Sequence, residues 1–307
     1  MIGNIIIVAA QIGVLFLLMG VGFLLRKLEL VDERGAGQMS SLLIYVVTPS
    51  VVIHSLQTPY SSHLMSALVW SSLLLILCYA VLILLSQLTF RKAPGELRPV
   101  LRFAQVYANN GFMGLPLVQA VLGSQAVIFV MPSLMIFQLF QWTHGMAIMG
   151  GKVSLRRILL NPGIISLLIG IGLFVGRITL PAVLGDTVAF LANMNTPLAM
   201  VIIGIQMADA NFRAIFTSAR LYGVALIKLL VAPAVTLLIM LPCLRIDPDL
   251  FCTMVILAAA PTAGMTSILA QQFRQDTATA AQAVSLTTLL SLFTLPVFSV
   301  IAKTIAF

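Results

Sequence analysis

Two adjacent amides open the stretch Asn109-Asn110-Gly111-Phe112-Met113-Gly114-Leu115-Pro116, inside a segment otherwise apolar enough to cross a bilayer. Each Asn side chain carries hydrogen-bonding sites that hydrocarbon cannot satisfy. Gly111 and Gly114 permit unusual backbone angles, and Pro116 removes a donor. About 150 residues later a second such stretch occurs, Ala260-Pro261-Thr262-Ala263-Gly264-Met265-Thr266-Ser267. Backbone that leaves helical geometry inside a membrane must be buried in protein or face a wet cavity. The helix starts it creates carry partial positive charge and free N–H groups, which attract anions. Asn109, Asn110, Thr262, Thr266 and Ser267 add neutral hydrogen bonds. Gly111, Gly114, Pro116, Pro261 and Gly264 shape the backbone, and Met265 completes the second stretch. The expected chemistry is the holding of a carboxylate without a permanent cation. The plainer reading is that Gly and Pro merely kink two packed helices.

Other polar groups lie at membrane depth. Lys228 is surrounded by apolar residues from Val224 to Pro233. Counted from Arg220, it sits about 12 Å into the bilayer at 1.5 Å per residue. An intramembrane ionisable group marks a functional site by default, with snorkelling to the interface as the alternative. Thr48-Pro49 and Thr196-Pro197 read as helix breaks or hinges whose threonines help satisfy the freed carbonyls. Asn193 and Asn195 enrich the second of these, and Asn195 joins the candidate binding residues. Gln138 and Gln141, and Thr287, Thr288 and Ser291, form polar stripes of the kind that glue helices together. His54, His63 and His144 lie near span ends or in a loop, where a proton-coupling role competes with an ordinary interfacial one.

The elements that must position these groups are membrane spans. The chain has 307 residues, 60% hydrophobic and 8% charged, against about 25% charged in soluble domains. Spans of about 20 apolar residues fall at roughly 4–25, 37–57, 64–88, 100–121, 125–149, 158–177, 183–208, 217–241, 249–272 and 279–303. The expected fold is all-α and polytopic, a single transmembrane domain over 1–307. With the N-terminus outside, the inner loops hold thirteen Lys and Arg residues: Arg26, Lys27, Arg34, Arg91, Lys92, Arg98, Arg102, Lys152, Arg156, Arg157, Arg213, Arg220 and Arg274. The outer side holds three, Arg177, Arg245 and Lys303. That asymmetry follows the positive-inside rule and places both termini outside. The net charge of +8 thus reports orientation rather than a nucleic-acid partner. Cys78, Cys243 and Cys252 are scattered and odd in number, as expected of free thiols.

The two Thr-Pro pairs are offset by 148 residues, and the interrupted fourth and ninth spans by about the same. Two five-span halves, 1–152 and 153–307, are expected. Five is odd, so the second half enters from the opposite side and the repeat is inverted. No carboxylate reaches mid-depth; Asp209 comes nearest, at the inner end of the seventh span. A metal or sodium site built on carboxylates is therefore not expected, and no cofactor is. Enzyme signatures are missing: no His-Glu-x-x-His, no Gly-x-Ser-x-Gly, no Gly-rich phosphate loop, no intramembrane Asp pair.

The stretch from Asn109 to Leu117 resembles the fourth-helix crossover of the auxin efflux carrier family. Ala258 to Met265 with Leu269-Ala270-Gln271-Gln272-Phe273 resembles the ninth-helix crossover of its bacterial members. Val284 to Ser291 with Leu295-Pro296 is similar to their tenth helix, and Lys228 with Pro233 resembles a Lys and Pro of their eighth. The resemblance covers essentially the whole chain. It implies ten helices in two inverted five-helix repeats with helices 4 and 9 broken and crossing, as in sodium–bile acid symporters. It implies a scaffold of helices 1, 2, 6 and 7, a mobile unit of helices 3–5 and 8–10, and a homodimer. It implies a secondary carrier in the cytoplasmic membrane for a small organic anion such as malate or malonate. Plant members carry proline where Asn109-Asn110-Gly111 stand and have a long loop missing here, so auxin is not the expected substrate. Coupling to a proton or a sodium gradient stays open, and a ligand sensor that moves nothing is the alternative of another class.

Overall fold

The computed structural model of the chain describes residues 2–154, 156, 159–208, 215, 216 and 218–307, with the backbone alone for residues 2–9, 11 and 12. Arg157, Asp209 and Arg213, and the opening residues 158 and 217 of two expected spans, lie outside the described residues. The described residues are helical almost throughout. In order the helices are α1 (Ile2–Lys27), α2 (Glu33–Ser55), α3 (Ser62–Leu88), α4 (Leu97–Val106), α5 (Asn110–Leu122) and α6 (Ser124–Ile148). They continue with α7 (Pro162–Val175), α8 (Ala182–Ala208), α9 (Ala219–Arg245), α10 (Pro248–Ala259), α11 (Met265–Gln272) and α12 (Thr277–Ala306). Among the described residues, α2, α3, α6, α8, α9 and α12 are long and apolar enough to cross a membrane, and α5, α7 and α10 are shorter apolar helices. This is an all-helical, multi-pass membrane protein. The expected spans fall on helices with ends displaced by a few residues. The fourth and ninth are each a pair, α4 with α5 and α10 with α11.

Acidic residues at the span ends cap helices. The Asp32 side chain accepts from Gly35 N–H at 2.7 Å, and that of Asp247 from Asp249 N–H at 2.8 Å. Asn161 caps α7 through Gly163 N–H at 2.8 Å. Each supplies a partner that the first helical turn lacks. The apolar run of α10 is buried on every side, from Leu250 and Phe251 through Val255 and Ile256, as befits a helix hydrophobic all round. Large apolar side chains on α1, α3 and α8, among them Leu17, Leu84 and Phe190, point outward, where lipid takes the place of a core. Helices α1 and α8 meet through two glycines. A β-carbon on Gly204 would strike the Met19 carbonyl, and one on Gly22 the Val201 carbonyl. Small residues let backbones come this close.

Three prolines are absorbed by widening the helix before them. A π-helical turn over Leu43–Val47 precedes Thr48-Pro49, one over Asn110–Gly114 precedes Leu115-Pro116, and one over Ile227–Val231 precedes Ala232-Pro233. In each, the residue before proline donates its N–H five residues back, to Leu43, Asn110 and Ile227 respectively. A proline has no N–H and its ring crowds the preceding turn, and the wider turn accommodates both. At the first site the hydroxyl that reaches back is that of Ser50, to the Val46 carbonyl at 2.8 Å, where the sequence pointed to Thr48. At the second break, Thr196 Oγ1 donates sideways to Gln119 Oε1 at 3.3 Å rather than to its own helix. The three cysteines are free and buried.

Candidate functional site

The sequence unwinds α4 and α10 at the same place in space. A residue before proline is disfavoured in helix, and Ala260, before Pro261, is extended at φ −60° and ψ 146°. Tyr107 leaves helical geometry likewise, at φ −92° and ψ 112°. The two unwound stretches then pair as an antiparallel bridge between Ala108 and Thr262. Asn109 N–H donates to the Pro261 carbonyl at 2.8 Å, and Ala263 N–H to the Tyr107 carbonyl at 2.9 Å. Each break thus satisfies peptide groups of the other, which buried backbone requires.

Side chains lock the crossing to its neighbours. Thr262 Oγ1 donates to the Ala104 carbonyl of α4 at 2.7 Å, and Thr262 N–H donates to Thr287 Oγ1 of α12 at 3.1 Å. Thr266 Oγ1 donates to the Ala263 carbonyl at 2.7 Å. Both threonines are fully buried. Their hydroxyls are engaged inside the protein, where the sequence offered them to a ligand. Gly114 lies against Leu257, whose Cδ2 would stand 2.6 Å from an added β-carbon, so it sets the approach of α5 to α10.

Beside the crossing lies a cavity of about 340 Å³. Helices α5 and α11 both begin on its wall: Asn109, Asn110, Gly111 and Phe112 at one start, Ala263, Gly264 and Met265 at the other. Asn109 caps α5, its Oδ1 accepting from Phe112 N–H at 3.3 Å. Opposite stand Tyr45 and Thr48 of α2, Asn161 and Gly163 at the start of α7, and Gln206 of α8. Helix α6 contributes Gln138, Gln141 and Trp142, with Trp142 Nε1 donating to Gln138 Oε1 at 3.1 Å. Gln141 Oε1 is buried with no partner among the described residues. The wall carries six amide side chains among apolar ones, and among the described residues it has no Asp, Glu, His, Lys or Arg. The first N–H groups of a helix have no intrahelical partner. Here Asn110, Phe112, Met113, Gly114, Thr266 and Ser267 already donate locally, so Gly111 N–H at one start and Gly264 and Met265 N–H at the other, with the two helix dipoles, can hold a small anion.

Of the residues named from the sequence, the cavity gathers Asn109, Asn110, Gly111, Gly264, Met265 and Thr48. Thr262, Thr266, Pro261, Gly114 and Pro116 build the crossing behind it. Asn195 is buried away from the cavity wall, with neither side-chain oxygen nor nitrogen partnered. Pro49, Thr196 and Pro197 stand in their helices off the wall. Lys228 is 1% exposed and donates to the Ala258 carbonyl at 2.8 Å; it is turned into the protein and does not snorkel. His144 Nδ1 pairs with Tyr107 Oη at 3.0 Å, and His63 Nε2 with the Ile246 carbonyl at 3.0 Å. Reading the sequence missed Tyr45, Trp142 and Gln206 and took Gln138 and Gln141 as helix glue. Their only signal was a polar or amphipathic residue within an apolar span.

A multi-pass helical membrane protein with two broken helices meeting beside an amide-bearing cavity has the arrangement of a transporter. The sequence profile of the family described as "Membrane transport protein" matches residues 7–153 and 150–299, and the chain belongs to that family, the auxin efflux carriers. It is also similar to a protein of Rhizobium meliloti (strain 1021) named "Putative malonate transporter", at 26% identity over 305 residues, covering 92% of this chain and 90% of that one.

Proposed function

We propose that the protein is a secondary carrier for small organic anions of the mono- or dicarboxylate class, with malonate the first candidate. The observation that carries this reading is the convergence of the α5 and α11 starts on one cavity of about 340 Å³. Two positive helix ends and a ring of amides suit a carboxylate, and the space suits a ligand of a few carbons. The name of the relative points to the same chemistry.

The architecture proposed with it is ten membrane crossings in two inverted halves, 1–152 and 153–307, with α4–α5 and α10–α11 as the broken crossings. Both termini then lie outside the cytoplasmic membrane. The cavity is lined on the one hand by α2, α7 and α8 and on the other by α5, α6 and α11, members of the expected scaffold and of the expected mobile unit. This division supports an elevator mechanism in which the crossover unit slides, loaded, past a fixed wall, and a homodimer would brace that wall. The test is a thermal-shift screen of the purified protein against metabolite carboxylates. Malonate or a close homologue should raise the melting temperature, while neutral diamides of the same size should not. Equal response to acids and amides, or to none, overturns the reading.

A further inference from the structure

The cavity offers an anion no cation, yet a buried lysine, Lys228, stands behind its wall. A second space, about 30 Å³, is lined by Asn110, Ser133, Lys228, Thr236 and Ala258 among others. Asn110 borders both spaces. Its Nδ2 donates to Ser133 Oγ at 2.9 Å, while its Oδ1 is buried with no partner among the described residues. Lys228 donates to the carbonyl of Ala258, in the last turn of α10, where the helix dipole presents its negative end. An ammonium carries three donors. The lining is mostly apolar, but a space of this size takes one water where polar groups meet, and a water there would accept from Lys228 Nζ and donate to Asn110 Oδ1.

We propose that Lys228 is the counter-charge of the carried anion, a positioning residue that acts through Asn110 and one interior water from behind the crossover. This rests on the anion-carrier reading. The charge is held by the same unit that holds the ligand and is separated from it by one side chain. In surroundings of low dielectric, an attraction across such a gap is little screened by salt. Its strength scales with the charge of the ligand, whereas hydrogen bonds from amides and helix starts depend on shape.

The test titrates purified protein with malonate, monomethyl malonate and malonamide, which share a skeleton and differ in charge. Lys228→Gln, which keeps a donor toward Ala258, and Lys228→Met are compared with wild type and Lys228→Arg. The expected loss in the two neutral variants is about tenfold per negative charge on the ligand, so malonate suffers about ten times more than its monoester. Lys228→Arg stays within a few-fold of wild type for both acids. A loss of equal size for malonate and the monoester marks a merely structural lysine and overturns the proposal, as does no loss at all. Wild-type protein that binds neither acid overturns the anion-carrier reading and this inference with it.

Discussion

Asn109 N–H donates to the Pro261 carbonyl oxygen at 2.8 Å, so Pro261 sits where the pairing needs an acceptor and no donor. Pro261 ends α10 through its effect on Ala260 and then serves the opposite break through its carbonyl. One residue therefore both creates the unwound backbone and satisfies its partner. The cost of leaving helix in the membrane is offset locally, and among the described residues the Gly111, Gly264 and Met265 N–H groups remain for a ligand.

The crossing depends on Thr262. Thr262→Val removes the hydroxyl that meets the Ala104 carbonyl and leaves a buried acceptor, at a cost of about 1–3 kcal/mol. Thr262→Ser keeps the bond. In detergent, the Val variant should melt several degrees below wild type and the Ser variant close to it. Equal melting of all three would show that the bond contributes nothing.

The glycine contact between α1 and α8 admits no side chain. Gly204→Ala places a methyl against the backbone of Met19, and since backbone cannot rotate aside, about 1–3 kcal/mol of overpacking is expected. Gly172→Ala on α7 meets nothing within 4 Å and should be neutral or stabilising through helix propensity. Thermal melts of the two variants check the contrast.

Gly111 and Gly264 face the cavity with room to spare. An added β-carbon at Gly264 stands 3.8 Å from Gln206 Oε1, and at Gly111 4.0 Å from Leu134 Cδ2. Alanine at either position should leave the melting temperature nearly unchanged and weaken malonate binding measurably. Gly264→Leu should abolish binding by filling the space. Calorimetric titration of folded variants decides; undiminished affinity in Gly264→Leu would place the ligand elsewhere.

Gln141 brings a buried, unpartnered Oε1 to the cavity wall. Gln141→Leu removes that orphan, so the fold should be equally or more stable. A ligand that uses the amide should bind roughly five- to tenfold more weakly, the worth of about one hydrogen bond. A large drop in melting temperature would mean that the amide serves the fold and not the ligand.

Much of this was legible in the sequence, and the limits have physical causes. Amides, glycines and prolines in an apolar run announce unwound backbone, because nothing in hydrocarbon can satisfy them. Lys228 announced itself by depth alone. The roles of Thr262 and Thr266 were not legible. A threonine hydroxyl facing a ligand and one bonded to a carbonyl are the same letter, and only the meeting of α4, α10 and α12 separates them. Gln206 and Trp142 stayed hidden for a related reason. A single polar residue on a long apolar helix reads as packing until the helices opposite it are known. Thr48 was credited with a reach back along the helix that Ser50 makes, to Val46 four residues earlier, since hydroxyls on the two sides of Pro49 read alike in sequence.

The measurement closest to the central claim is counterflow of labelled malonate in proteoliposomes loaded with unlabelled malonate. The account predicts rapid transient accumulation by wild-type protein and none by Asn110→Ala or Gly264→Leu protein that reconstitutes and melts normally. Accumulation at wild-type rates in both variants would contradict the assignment of the cavity beside Asn110 as the place where the anion is held.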